Sequence, residues 1–223
     1  MTASTFPFAG AEVQATLAGG LFMPACATLV LADLHLEKGS ALARRGALLP
    51  PYDSLATLAR LSACLDALTP QRVICLGDSF HDGGGPARLT AADRRQLERL
   101  TAACEWVWVA GNHDPQATEF VGGTVVTEAM VGGIAFRHQA QADADGYEIS
   151  GHFHPKACLT VNGRRITGRC FVTDGRRLIL PAFGAYAGGL NVLDPVITAL
   201  MAPPFQIHVI GYRRVHCFAS RTR

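Results

Sequence analysis

The chain has 223 residues, 49% hydrophobic and 17% charged, with a formal net charge of +2. That much apolar material builds a large core, and the length reads as one domain spanning 1–223. No run of 18 or more apolar residues lacks breakers, and "MTASTFPFAG" has no basic region leading into an apolar stretch. A cytoplasmic protein with no membrane partner is therefore expected.

Along the chain, "ATLVLAD" (27–33) is a short apolar, β-branched run ending in a carboxylate, as a buried strand would. Asp53 is then placed to cap a helix whose Leu55, Leu58, Leu61, Leu65 and Leu68 recur at spacings of three and four until Pro70 stops it. "RVICLGD" (72–78) is a second strand ending in an acid. A glycine-rich loop, "HDGGGPARL", leads to "TAAD" (90–93), a capping-box variant for a helix carrying Leu97 and Leu100. "EWVWVAGNHD" (105–114) is a third strand, again polar at its C-terminal end. Strands alternating with helices imply right-handed crossovers and a parallel sheet. The carboxyl ends of such strands share one edge, so Asp33, Asp78 and Asn112 converge there.

The second half reads differently. "GGIAFRH", "GYEISGHFHP", "ACLTVNGRR", "CFVTD" and "RLILPAF" are short strands between turns, with an Asn-Gly hairpin signal at 162–163. The expected fold is α/β (α+β), a two-sheet β-sandwich flanked by helices. His138, His152 and His154 return to the same edge. In an extended backbone residues i and i+2 share a face, so His152 and His154 can aim at one point. Alone, that pair is a weak metal signal; the other strand-end residues supply the rest of a ligand set.

Two compositional features need weighing. Seven cysteines, at 26, 64, 75, 104, 158, 170 and 217, are an odd set without CxxC spacing and read as reduced, buried small hydrophobes. From Lys156 onward ten Lys or Arg face two acids. Arg164, Arg165, Arg169, Arg176 and Arg177 are either solvated side chains on hairpin turns or a basic rim for a phosphate-bearing polymer.

The ordered clusters "DLH" (33–35), "GD" (77–78), "GNHD" (111–114), the lone His138 and "GHFHP" (151–155) resemble the calcineurin-like metallophosphoesterase superfamily. The likeness extends over residues 33–154 and implies a dimetal site at the C-terminal strand edge. By it, Asp78 bridges two ions, Asp33, His35 and His154 complete one site, and Asn112, His138 and His152 complete the other. Imidazole and carboxylate donors without thiolate suit Mn, with Fe or Zn as alternatives. His113 is similar to the family's catalytic histidine, which contacts the phosphate and protonates the leaving oxygen, with Asp114 orienting it. His81 is open to a substrate or a structural role.

"LGDSFHD", "AGNHD", "ISGHFHPKACL" and "LILPAFGAYAGGLNV" (178–192) further resemble the bacterial ligase-associated DNA damage response endonucleases (PdeM). That narrower likeness implies a DNA substrate, with Arg164, Arg165, Arg176 and Arg177 as candidate contacts. It also implies an ATP-dependent DNA ligase and a helicase as partners in repair. Two other functions compete: a phosphodiesterase or phosphatase for small molecules, and a scaffold without catalysis. Retention of Asp33, His35, Asp78, Asn112, His113, His138, His152 and His154 together argues against the scaffold.

Overall fold

The apolar runs of the first half become neighbouring parallel strands because both of their faces are covered. In the computed structural model, which describes residues 4–47, 49–113 and 122–220, β4 (Thr28–Ala32) lies beside β5 (Arg72–Leu76), and β5 beside β6 (Glu105–Val109). All five residues of β4 are buried. Leu29 and Leu31 face the helices, with Leu58, Leu61 and Leu65 of α2 (Asp53–Leu68) and Leu97 of α4 (Ala91–Ala102) in one cluster. Val30 and Ala32 face a second sheet and share a cluster with Phe136, Ile149 and Leu178. Alternate burial on two faces is why this strand reads as an unbroken hydrophobic run.

The first sheet has seven strands, ordered β1 (Ser4–Phe8), β2 (Ala11–Ala15), β3 (Leu21–Met23), β4, β5, β6 and β7 (Thr124–Val126). Its first three strands are antiparallel and were not read from the sequence, where their alternation spans only three to five residues each. The second sheet packs against it. Its central strands are β9 (Ile134–Arg137), β10 (Tyr147–Ser150), β12 (Arg164–Thr173) and β13 (Arg177–Ile179). β10 runs parallel to both β9 and β13, so "GHFHP" leaves the sheet at the same edge as His138. β11 (Pro155–Val161) and β12 form the Asn-Gly hairpin, and Asn162 and Gly163 both have positive φ (50° and 73°), the conformation a tight two-residue turn needs. β15 (Gln206–Ile210) and β16 (Val215–Ala219) extend the sheet beyond β12.

Thus the fold is a two-sheet sandwich flanked by helices, with three local departures from expectation. Leu55 is 52% exposed and lies off the apolar stripe of α2. Asp53 does not cap α2; it is buried and accepts the main-chain N–H of Gly39 in α1 (Lys38–Ala43) at 3.0 Å. Cys158 and Cys217 are exposed, although all seven cysteines are free. Thr90 caps α4 as read, accepting the N–H of Asp93. Among the described residues no helix is long and apolar enough to cross a membrane.

Candidate metal centre

Beyond the end of β4 the backbone takes an unusual path. Asp33, His35 and Glu37 all adopt the left-handed conformation, with φ of 53°, 44° and 62°. The intervening Leu34 and Leu36 are buried in the helix-side core. Non-glycine residues there cost about 1–3 kcal/mol each and persist only where their surroundings over-determine them. Here the main chain supplies that support. His35 N–H donates to Asp78 O, Leu36 N–H to Ser79 O and His81 N–H to Leu36 O, each at 2.9 Å. The strand-end loops at 33–37 and 78–81 are thereby zipped together. Asp78, His152 and His154 are left-handed as well, so five side chains of the cluster project from strained positions.

Two groups of donors result. Asp33, His35 and His154 bring one atom each within 4.8 Å of one another, and so do Asp78, His138 and His152. The groups adjoin: Asp33 Oδ1 is 3.5 Å from His154 Nε2 and 3.7 Å from His138 Nδ1. Asp78 Oδ2 is 3.6 Å from His138 Nε2. The other oxygens are held by the main chain, Asp33 Oδ2 by His152 N–H at 2.8 Å and Asp78 Oδ1 by His113 N–H at 3.0 Å. One oxygen of each carboxylate is fixed, and the other faces the histidines.

This arrangement fits cations. Asp33 Oδ1 is buried without a hydrogen-bond partner, an expensive state for a carboxylate unless something positive meets it. His35 Nε2 and His154 Nε2 lie 3.2 Å apart, and His152 Nδ1 and His138 Nε2 3.0 Å apart. His138 Nδ1 is 3.1 Å from Leu76 O, which can only accept; that bond places the proton on Nδ1 and leaves Nε2 as a bare lone pair. Burial is the main cause that pushes His35 down to about 2, with His154 and Lys38 adding to it. Burial and then His138 lower His152, against the opposing pull of Asp33 and Asp78. Neutral imidazoles converging with carboxylates form a donor set for divalent transition ions.

Two glycines are required by contact with this cluster. A Cβ on Gly77, which also has φ +69°, would lie 2.2 Å from His138 Nδ1, and one on Gly111 would lie 2.1 Å from the main-chain N of Asp78. Gly111 has no positive φ; close approach rather than a sharp turn excludes a side chain there.

A family model for calcineurin-like phosphoesterases matches residues 27–193. The chain belongs to that family. It is a metal-dependent hydrolase. Among solved structures it is similar to the Pseudomonas putida nuclease MPE, with 25% identity and a TM-score of 0.77 over 94% of this chain and 98% of that one. More distant are the protein of unknown function AQ665 from Aquifex aeolicus (16%, TM-score 0.42, covering 57% and 78%) and the E. coli phosphoesterase Yfce (13%, 0.40, covering 81% and 86%). No curated protein matches the chain.

The phosphoesterase places its expected site residues unequally. Asp33, His35, Asp78, His138, His152 and His154 come together as described. Asn112 is exposed and lies between Gly111, which abuts Asp78, and His113, which donates to Asp78. Asp114 lies outside the described residues. His113 is half-exposed, with Nε2 3.8 Å from Asp78 Oδ2. His81 stacks on His113 at 5.4 Å between ring centroids and meets His35 edge-on at 5.7 Å. Burial and Lys38 lower its pKa.

The arginines expected as a basic rim are placed unequally. Arg177 is buried, its guanidinium bound to Glu148 Oε1 and the main-chain oxygens of Gln141, Ala142 and Leu200. Arg176 is tied to the oxygens of Gly146 and Ala144, and Arg169 to those of Ala182 and Ala18. Arg164 pairs with Val161 at the far end of β11, about 20 Å along the strand from Pro155 at 3.3 Å per residue. Arg177 pairs with Glu148, upstream of the histidines on β10. Arg164, Arg165, Arg176 and Arg177 therefore lie toward the strand ends remote from the metal edge.

Several supporting residues were missed. Glu37 is buried and accepts the hydroxyls of Ser54 (2.8 Å) and Ser40 (2.6 Å), fixing the loop after His35. Phe183 N–H donates to Ala32 O and Gly184 N–H to Asp33 O, so "PAFGAYAGG" clamps the end of β4. The spacing "DLHLE", with polar residues at alternate positions from 33 to 37, was the available signal for Glu37.

Proposed function

We propose that this phosphoesterase hydrolyses phosphodiester bonds in DNA, as an endonuclease or an end-processing enzyme of repair. The observation that carries the reaction is the pair of abutting carboxylate–histidine groups, with Asp33 Oδ1 unpartnered between them. Likeness to a nuclease over nearly the whole of both chains supports the polymer substrate. In this reading Asp33, His35 and His154 hold one divalent ion, His138, His152 and Asn112 hold another, and Asp78 serves both. Mn is the proposed metal, on the same donor chemistry. Bound there, two ions would supply Lewis-acid polarisation of the phosphoryl group and an activated water.

The chain's own residues do the rest. Main-chain bonds from His152 and His113 hold the carboxylates in place, so little reorganisation accompanies binding. His113, with a second proton taken up on Nε2, the nitrogen turned toward the site, passes that proton to the leaving oxygen. A cytoplasmic setting is proposed on the sequence reading above, and an ATP-dependent ligase and a helicase are proposed as partners on family resemblance alone.

The test is hydrolysis by the Mn-reconstituted enzyme of a chromogenic diester, single-stranded DNA, duplex DNA and cyclic nucleotides. Cleavage of DNA is expected. Turnover of cyclic nucleotides or monoesters with intact DNA would replace this reading by the small-molecule one. Elemental analysis of Asp78→Asn should show loss of metal from both sites, and two full equivalents would rule out the shared carboxylate.

A further inference from the structure

The surface beside His35 and His81 carries cations that no described acid nearby neutralises. Lys38, Arg44 and Arg45, in and just after α1, take part in no ion pair among the described residues. The adjacent acids are already engaged. Glu37 is turned inward onto Ser40 and Ser54, Asp53 onto Gly39, and Asp82 onto Arg88 at 2.8 Å. Arg44 and Arg45 are exposed and Lys38 is half-buried. Lys38 opens α1 three residues after His35, and the bond from Gly39 N–H to Asp53 joins that helix to the head of α2.

Aromatic rings border the same face. Tyr52, immediately before Asp53, is 63% exposed. The hydroxyl of Tyr186 donates to Pro50 O at 2.9 Å, from the loop whose Gly184 is bonded to Asp33. Unpaired cations next to an exposed ring, at the rim of a phosphoester-cleaving site, match the combination that holds a nucleic acid strand: charges for phosphates, a flat apolar face for a base. The C-terminal arginines lack this placement.

We infer that the polynucleotide strand entering the metal centre runs across α1 and the head of α2, its phosphates on Lys38, Arg44 and Arg45 and a base against Tyr52. The path rests on the DNA reading above. It assigns the electrostatic contacts to the N-terminal half, because its described acids near α1 are internally satisfied while Arg169, Arg176 and Arg177 of the other half are spent on main-chain oxygens.

The experiment compares three variants of the metal-reconstituted full chain: Lys38→Gln/Arg44→Gln/Arg45→Gln, Tyr52→Ala, and Arg164→Gln/Arg165→Gln. Readouts are anisotropy of a labelled oligonucleotide across a salt series and kcat/KM on the oligonucleotide relative to a small chromogenic diester. The triple variant should lower that ratio about ten- to hundredfold and flatten the slope of log affinity against log salt by about 2, near 0.7 per lost contact on a single strand. Tyr52→Ala should weaken binding about tenfold without altering the slope. The Arg164/Arg165 pair should shift neither. Wild-type slope and ratio in the triple variant, or the larger loss in the Arg164/Arg165 pair, would overturn the path while leaving DNA cleavage standing. A wild-type enzyme that hydrolyses the diester but neither binds nor cuts the oligonucleotide would overturn both.

Discussion

His113 presents Nδ1 to the main-chain oxygen of His81 at 3.0 Å, and its Nε2 looks toward Asp78 Oδ2 at 3.8 Å. A carbonyl can only accept, so the proton of the neutral ring sits on Nδ1, and Nε2 must take up a second proton before it can protonate the leaving oxygen. His113→Ala should therefore keep both metals, because the ring is not among the grouped donors, yet lose about 10²- to 10⁴-fold in turnover. The loss should shrink for a nitrophenolate leaving group, which needs no protonation. His81→Ala keeps the carbonyl and should cost less. Metal release from His113→Ala, read by elemental analysis, would make the ring a ligand instead.

The glycines beside the metals separate two kinds of cost. Gly132 has φ +58° and open space around it, so Gly132→Ala should cost only the left-handed penalty of about 1–2 kcal/mol. Gly77→Ala adds a Cβ 2.2 Å from His138 Nδ1, and Gly111→Ala one 2.1 Å from the main chain of Asp78. Both should lower metal content as well as stability, whereas Gly132→Ala should leave metal content intact. Denaturant midpoints and metal analysis on the three proteins decide this; equal metal content in all would mean that the contact is relieved without moving the ligands.

Arg177→Met tests whether that arginine serves the fold. Its loss strips Glu148 Oε1 of its partner in a residue only 1% exposed, although Arg137 still holds Oε2 at 2.9 Å. Three main-chain oxygens lose a donor too. A cost of about 3 kcal/mol is expected, against less than about 0.5 for Arg164→Gln on the exposed hairpin. Oligonucleotide affinity of the folded Arg177→Met protein should match the wild type; a fall in affinity at unchanged stability would return Arg177 to the substrate.

The site was legible because its ligands terminate strands that the core already dictates. Asp33 and Asp78 end runs buried on both faces, so register and parallel pairing bring them to one edge. His138 and "GHFHP" follow because β9 and β10 are parallel neighbours. What was not legible depends on partners remote in sequence. No residue pattern marks Asp33 or His35 as left-handed, since the loop is held by bonds that His35 and Leu36 N–H donate to the main-chain oxygens of Asp78 and Ser79. Counting charge overrated Arg169, Arg176 and Arg177, whose partners are carbonyls, and overlooked Lys38 and Arg45, whose acidic neighbours are turned inward. The strands β1 and β2 carry real alternation, Phe6 and Phe8, then Val13 and Ala15, but too briefly to stand out.

His208 should make stability depend on pH. It is 2% exposed, stacked on Phe6 with centroids 4.0 Å apart, and its Nδ1 is buried without a partner while Nε2 meets Gln206 Oε1 at 3.1 Å. Burial pushes its pKa from 6.5 down to about 4. Folding therefore favours the neutral ring, and its contribution is complete above pH 6.5. Between pH 6.5 and 4 the unfolded chain binds the extra proton, so stability is lost as pH falls through that window. At pH 5 the loss from this residue is about 2 kcal/mol, from 1.36 kcal/mol per pH unit. His35 and His152 titrate too, so the informative quantity is the difference between wild type and His208→Phe, which keeps the stacked ring and removes the proton site. Metal-free samples unfolded in urea at pH 7 and pH 5 should show the variant losing about 2 kcal/mol less than the wild type. Parallel losses in the two proteins would mean that His208 is protonated in the folded as well as the unfolded state at pH 5 and that its burial carries no pH linkage.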